Sequence, residues 1–143
     1  MPRYINDIIL HCTATPAGKD YSVADITNWH KQRGWRTCGY HYVVRLDGSI
    51  ERGRAISQPG AHCRGHNAHS IGVAYVGGLD TDGKPADTRT EAQKHALLKL
   101  LVNLTKIYRC RIHGHRDYNP QKACPCFDAT KEYAPLYKYA ELS

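Results

Sequence analysis

The segment from Thr90 to Tyr108 sets the architecture. Leu97, Leu100, Leu101, Leu104, Ile107 and Tyr108 recur at helical spacing behind Thr90, with Gln93 in the capping-box position. A helix of that length with one apolar stripe has to bury the stripe against another layer, and the rest of the chain supplies short β-branched runs for it. Tyr4 to His11 ends in Ile8-Ile9-Leu10 and reads as a buried strand. Tyr40 to Leu46 is a second strand, Asp47-Gly48 a tight turn, and Ser49 to Arg52 the returning strand. Ile71 to Val76 is a further buried strand, and Cys110-Arg111-Ile112 a short one ending at His113-Gly114-His115.

The connections carry their own signals. Ser22 and Asp25 have capping-box spacing, and Val23, Ile26, Trp29 and His30 then recur at helical spacing before Gly34. Thr13 to Gly18, Gln58 to Ser70, Asp80 to Thr88 and Arg116 to Phe127 read as loops, and Ala129 to Tyr139 as a terminal helix disturbed by Pro135. Strand, helix, hairpin, strand, helix, strand, helix predicts an α/β fold. We expect a mixed central β-sheet flanked by helices, in a single domain over residues 1–143.

Lys and Arg total 20 against 13 Asp and Glu, a net charge of +7. That balance favours polyanionic partners, among them nucleic acid, anionic membrane surfaces and bacterial wall polymers, without choosing between them. No run approaches the roughly 18 apolar residues of a membrane span, so no membrane insertion is expected. Met1 to Leu10 lacks the basic start, apolar run and cleavage site of a signal peptide. Zinc-finger spacing and RNA-binding aromatic motifs are missing too, so nucleic acid is not an expected partner.

Nine histidines and six cysteines are many for 143 residues. His11 and His115 each follow a short apolar run, where a fold most readily fixes a side chain at the edge of a cleft, and Cys124 follows His115 by nine residues. Two imidazoles and a thiolate leave the fourth position of a hydrolytic zinc open. The same spacing also suits two partly buried histidines and a core cysteine, or a cysteine nucleophile paired with His115 or His113. Cys124-Pro125-Cys126 lacks the spacing of a four-thiolate zinc site, and one disulfide, for example Cys38 with Cys63, is left open. Cys12 should face away from His11 on a strand and belong to the core.

Four pieces carry a resemblance. Ile8-Ile9-Leu10-His11-Cys12-Thr13-Ala14-Thr15, Gly39-Tyr40-His41-Tyr42, Gly65-His66-Asn67 with Ser70-Ile71-Gly72, and Gly114-His115-Arg116-Asp117 with Lys122-Ala123-Cys124-Pro125 follow one another in order. Together they resemble the zinc-dependent N-acetylmuramoyl-L-alanine amidases of the type 2, phage-lysozyme-like family, which is related to the peptidoglycan recognition proteins. The resemblance implies that one zinc ion is held by His11, His115 and Cys124. It implies catalytic roles for Tyr40, beside the metal, and Lys122, near the substrate carbonyl, with His113 left outside the motif.

The implied reaction is hydrolysis of the amide between the lactyl group of N-acetylmuramic acid and L-alanine. Zinc would acidify its water and polarise the carbonyl, Lys122 would stabilise the oxyanion, and Tyr40 would orient water or bond to the tetrahedral intermediate. His62, His66, Asn67 and Trp35 are expected to line the sugar-peptide groove. Ala74 stands where many relatives carry an acid, which leaves more of the chemistry to Tyr40 and Lys122. The alternative is a recognition module that binds peptidoglycan without cutting it, and the filled ligand positions favour the enzyme. The expected partner is bacterial peptidoglycan and the expected state a monomer. The chain would be made in the cytoplasm without a signal peptide and reach the wall by phage-type release or through a secretion system.

Overall fold

A computed structural model describes residues 3–137. At its centre is β1 (Asp7–Cys12), buried along its whole length and paired in parallel on both sides. Its partners are β5 (Ser70–Tyr75) and β7 (Arg111–Gly114). β3 (Tyr42–Val44) adds to β5 in parallel, and β4 (Ile50–Arg52) returns antiparallel on the edge, giving the order β4-β3-β5-β1-β7. The sheet is therefore mixed, as expected. A parallel pair, β2 (Thr15–Pro16) with β6 (Gly78–Leu79), stands apart from it. The β3–β4 connection turns at Gly48, whose φ of 88° suits a residue without a Cβ.

Two helices cover the two faces. α1 (Val23–Gln32) is capped by Ser22 and Asp25 in a reciprocal box, and α2 (Glu91–Tyr108) by Thr90 and Gln93 in another. Alternation along β1 sends Ile8, Leu10 and Cys12 to the face that packs with Ile71, Val73, Ile112 and the α2 residues Leu97, Leu101 and Leu104. Each of the fully buried large side chains there contributes about 1.5–3 kcal/mol relative to exposure. Ile26 of α1 packs with Cys38, Val43 and Val76 in a smaller cluster. Gln93 also works as a brace, since its buried amide donates to the carbonyls of Val44 and Val76 at 3.2 and 2.9 Å.

Three expectations change. The segment expected to be loop from Arg116 onward begins inside a one-turn helix, α3 (His115–Tyr118), anchored by the Asp117 carboxylate accepting from the Gly114 N–H. The terminal helix, α4, spans only Ala129–Glu132 and gives way to a 3₁₀ turn over 134–137; the rest of the expected helix lies outside the described residues. Pro135 has no N–H with which to continue an α-helix. All six cysteines are free thiols, so the Cys38–Cys63 pairing is not made. Among the described residues, no helix is long and apolar enough to cross a membrane.

Candidate metal centre and groove

His11 lies near the carboxyl end of β1, and His115 opens α3 directly after β7. In sheets of parallel strands that edge is where sites form. Cys124 comes back to the same edge, its thiol accepting the Cys12 N–H at 3.0 Å. The ligand atoms offered by His11, His115 and Cys124 all lie within 4.8 Å of one another. Burial pushes the His11 imidazole well below its ordinary pKa, helped by His62 and His115 beside it. Burial also lowers His115, with the Lys122 charge as the second cause. Both rings are thereby kept neutral, as ligands must be.

The hydrogen bonds around His62 decide which nitrogen of His11 is free. The Ser70 hydroxyl donates its proton to the His66 carbonyl at 2.7 Å, so at 3.2 Å it accepts from the Nε2–H of His62. Burial drives His62 down to a pKa of about 3, which keeps the ring neutral and leaves Nδ1 as an acceptor. Nδ1 then receives the Nε2–H of His11 at 2.8 Å, and Nδ1 of His11 is left with its lone pair. Two neutral imidazoles and a thiol drawn together in this way fit zinc with one position open.

His62 owes its place to a glycine. It lies against Gly72 of β5, where an added Cβ would meet the His62 ring at 2.6 Å. Gly72 pairs with Ile9 and Ala74 with His11, so no carboxylate stands beside His11 on β5. Asn67 closes the loop that carries His62, its Oδ1 accepting from the N–H groups of His62 and Cys63 at 3.0 and 2.9 Å.

A groove of about 570 Å³ opens at this edge, lined by His62, Asn67, Trp35, His115, Lys122 and neighbouring residues. Tyr40 lies beside His11, with ring centroids 5.2 Å apart, and lines a small cavity with His30 and Trp29. Burial, with Cys124 as the next cause, raises the Tyr40 hydroxyl far above its usual pKa, so it stays protonated. His66 is exposed and stacked on Tyr118 with centroids 3.9 Å apart, at the rim rather than in the lining. Cys12 sits in the core as expected, its thiol 3.9 Å from that of Cys126. His30 is a satisfied histidine, accepting the Gly39 N–H at 2.8 Å.

Sequence reasoning missed the support beneath the groove. Asp7, at the opposite end of β1 from His11, bonds to Nδ1 of His113 at 2.8 Å and accepts from the Tyr118 hydroxyl. This ties α3, and with it His115, to the central strands. Asp7 is 8% exposed, and a carboxylate starting an apolar strand was the signal for such a partner.

Comparison with known proteins agrees with this geometry. The family described as N-acetylmuramoyl-L-alanine amidase matches residues 1–127. The endolysin of Klebsiella phage KP32 is 44% identical over 86% of this chain and 82% of its own. Peptidoglycan-recognition protein SC1a of Drosophila melanogaster is 30% identical over 86% of this chain and 69% of its own. The solved N-acetylmuramoyl-L-alanine amidase LysC from Clostridium intestinale URNW superposes with a TM-score of 0.78 at 31% identity, over 94% of this chain and 86% of that one. The chain belongs to the N-acetylmuramoyl-L-alanine amidase family.

Proposed function

We propose that this amidase cuts the amide between the lactyl group of N-acetylmuramic acid and L-alanine in bacterial peptidoglycan, using one zinc ion held by His11, His115 and Cys124. The observation that carries the reading is the convergence of their ligand atoms within 4.8 Å at the carboxyl edge of the sheet. When bound, zinc supplies Lewis acidity, which makes water a stronger acid and polarises an amide carbonyl. The remaining work falls to side chains. Lys122, in the groove lining, offers an ammonium to the oxygen that gains charge as water adds to the carbonyl carbon. Tyr40, kept protonated, offers an O–H donor beside His11. Breaking the C–N bond then yields a lactyl carboxylate and the amine of L-alanine, whose nitrogen takes up a proton.

Trp35, His62 and Asn67 line the groove that receives the sugar and peptide, and His66 borders it. Retention of all three donors supports hydrolysis over recognition without cutting. The chain reaches the wall by phage-type release or delivery through a secretion system. Mass spectrometry of purified peptidoglycan digested by the zinc-loaded protein, beside a chelated control, tests the reading. Chelator-sensitive release of stem peptides beginning at L-alanine is expected. Intact fragments from folded, zinc-loaded protein would replace hydrolysis by recognition.

A further inference from the structure

The groove carries charge of one sign. Arg64 and Lys122 are its two lining residues with fixed positive charge, and no aspartate or glutamate lines it. Among the described residues, neither cation is in an ion pair. The nearby acids are engaged elsewhere: Asp7 with His113 and Tyr118, Asp117 with the Gly114 N–H and the Thr130 hydroxyl. Such a groove complements an anion.

The two cations differ in what they suit. Lys122 is the point charge assigned above to the scissile carbonyl. Arg64 presents a planar fork that matches a carboxylate through two parallel hydrogen bonds. Its loop is already built, through the two bonds to Asn67 Oδ1 and the His66 N–H donating to the Cys63 carbonyl at 2.9 Å. An arginine on a preformed loop loses less freedom when it binds.

We propose that Arg64 is a specificity-determining residue that pairs with a carboxylate on the stem peptide, so that the chain prefers acidic stem peptides to amidated ones. The proposal rests on the amidase reading and narrows it to a substrate class. The carboxylate concerned is one that the stem peptide carries beyond L-alanine, and the comparison is with the same group as a primary amide.

Two soluble muropeptides that differ only in that group provide the test. The zinc-loaded protein is expected to cleave the acid with kcat/KM about three- to tenfold above that for the amide, through KM, and added salt should narrow the gap. Arg64→Gln should bring the ratio towards one, and Arg64→Lys should keep part of it. Calorimetric binding of both muropeptides to the metal-free protein should follow the same order. Equal cleavage of the two by the wild type, or a ratio and binding order untouched by Arg64→Gln, overturns the role of Arg64 and leaves the amidase reading intact. Failure to cut either muropeptide or whole peptidoglycan overturns the amidase reading itself.

Discussion

Nε2 of His11 and Nδ1 of His62 lie 2.8 Å apart, and that bond leaves Nδ1 as the nitrogen of His11 with a free lone pair. A metal-binding histidine whose other nitrogen is held is a better ligand, and losing the holder typically costs about 10–100-fold in metal affinity or activity. His62→Ala should weaken zinc binding within that range while the fold persists. Competition with a chromophoric chelator, alongside circular dichroism, measures it, and wild-type affinity in the variant would remove His62 from the metal's support.

Replacing a donor acts more strongly than replacing its support. His11→Ala, His115→Ala and Cys124→Ala should each lose zinc and hydrolysis together, because two donors cannot complete the site. Metal content by mass spectrometry and turnover are read on the same preparation. A His11→Ala variant with full turnover would sink the ligand assignment.

Tyr40→Phe and Lys122→Met should behave differently. Neither side chain is among the donors, so zinc should stay while kcat drops by about 10²-fold, the usual cost of removing a donor to developing charge. Unchanged rates would take those residues out of the mechanism.

Gly72 has no room for a side chain, since a Cβ there would press on the His62 ring at 2.6 Å in a fully buried strand. Gly72→Ala should destabilise the fold by about 1–3 kcal/mol and weaken zinc binding with it. Urea unfolding with and without chelator separates the two effects. A neutral substitution would show that His62 has space to move.

Away from the site, Arg89 ties the approach to α2 to α4. Its guanidinium bonds to Asp87 and Glu132 at 2.7–2.9 Å and lies 3.5 Å from the centre of the Phe127 ring. The bond from Arg89 holds Glu132 below the usual carboxylate range; burial pushes Asp87 up, but Arg89 outweighs it and Asp87 ends low as well. A depressed folded-state pKa gives stability that is present above the unfolded value, near 4, and lost as pH falls through the folded one. Arg89→Met should therefore cost about 1–3 kcal/mol at pH 7 and progressively less towards pH 3. Urea midpoints across that range check it, and a constant difference would show that the ion pairs contribute nothing.

What the sequence revealed follows from the range of the forces involved. The stripe of α2, both capping boxes and the buried run of β1 are local patterns, and each appears where periodicity and capping chemistry put it. α3 is a single turn, too short to show a period, and α4 stops early at Glu132. Within the site, strand ends pointed to His11 and His115. The hold of His62 on His11 spans 51 residues and that of Asp7 on Tyr118 spans 111, so only the tertiary fold brings these partners together. Asn67 shows the opposite limit: it lines the groove where the resemblance put it, while its Oδ1 is taken up by the turn that carries His62, a use its residue type alone did not single out.

β1 has a further consequence through its neighbour β7, whose pairing joins Asp7 to Arg111 and Leu10 to Gly114 across about a hundred residues of intervening chain. Contacts so remote in sequence slow folding, because the entropy of closing the loop is lost before they form. A nascent chain that has emerged only as far as α2 contains His11 but neither His115 nor Cys124. The three proposed donors therefore converge only with completion of the sheet, and a fragment ending at α2 lacks two of them.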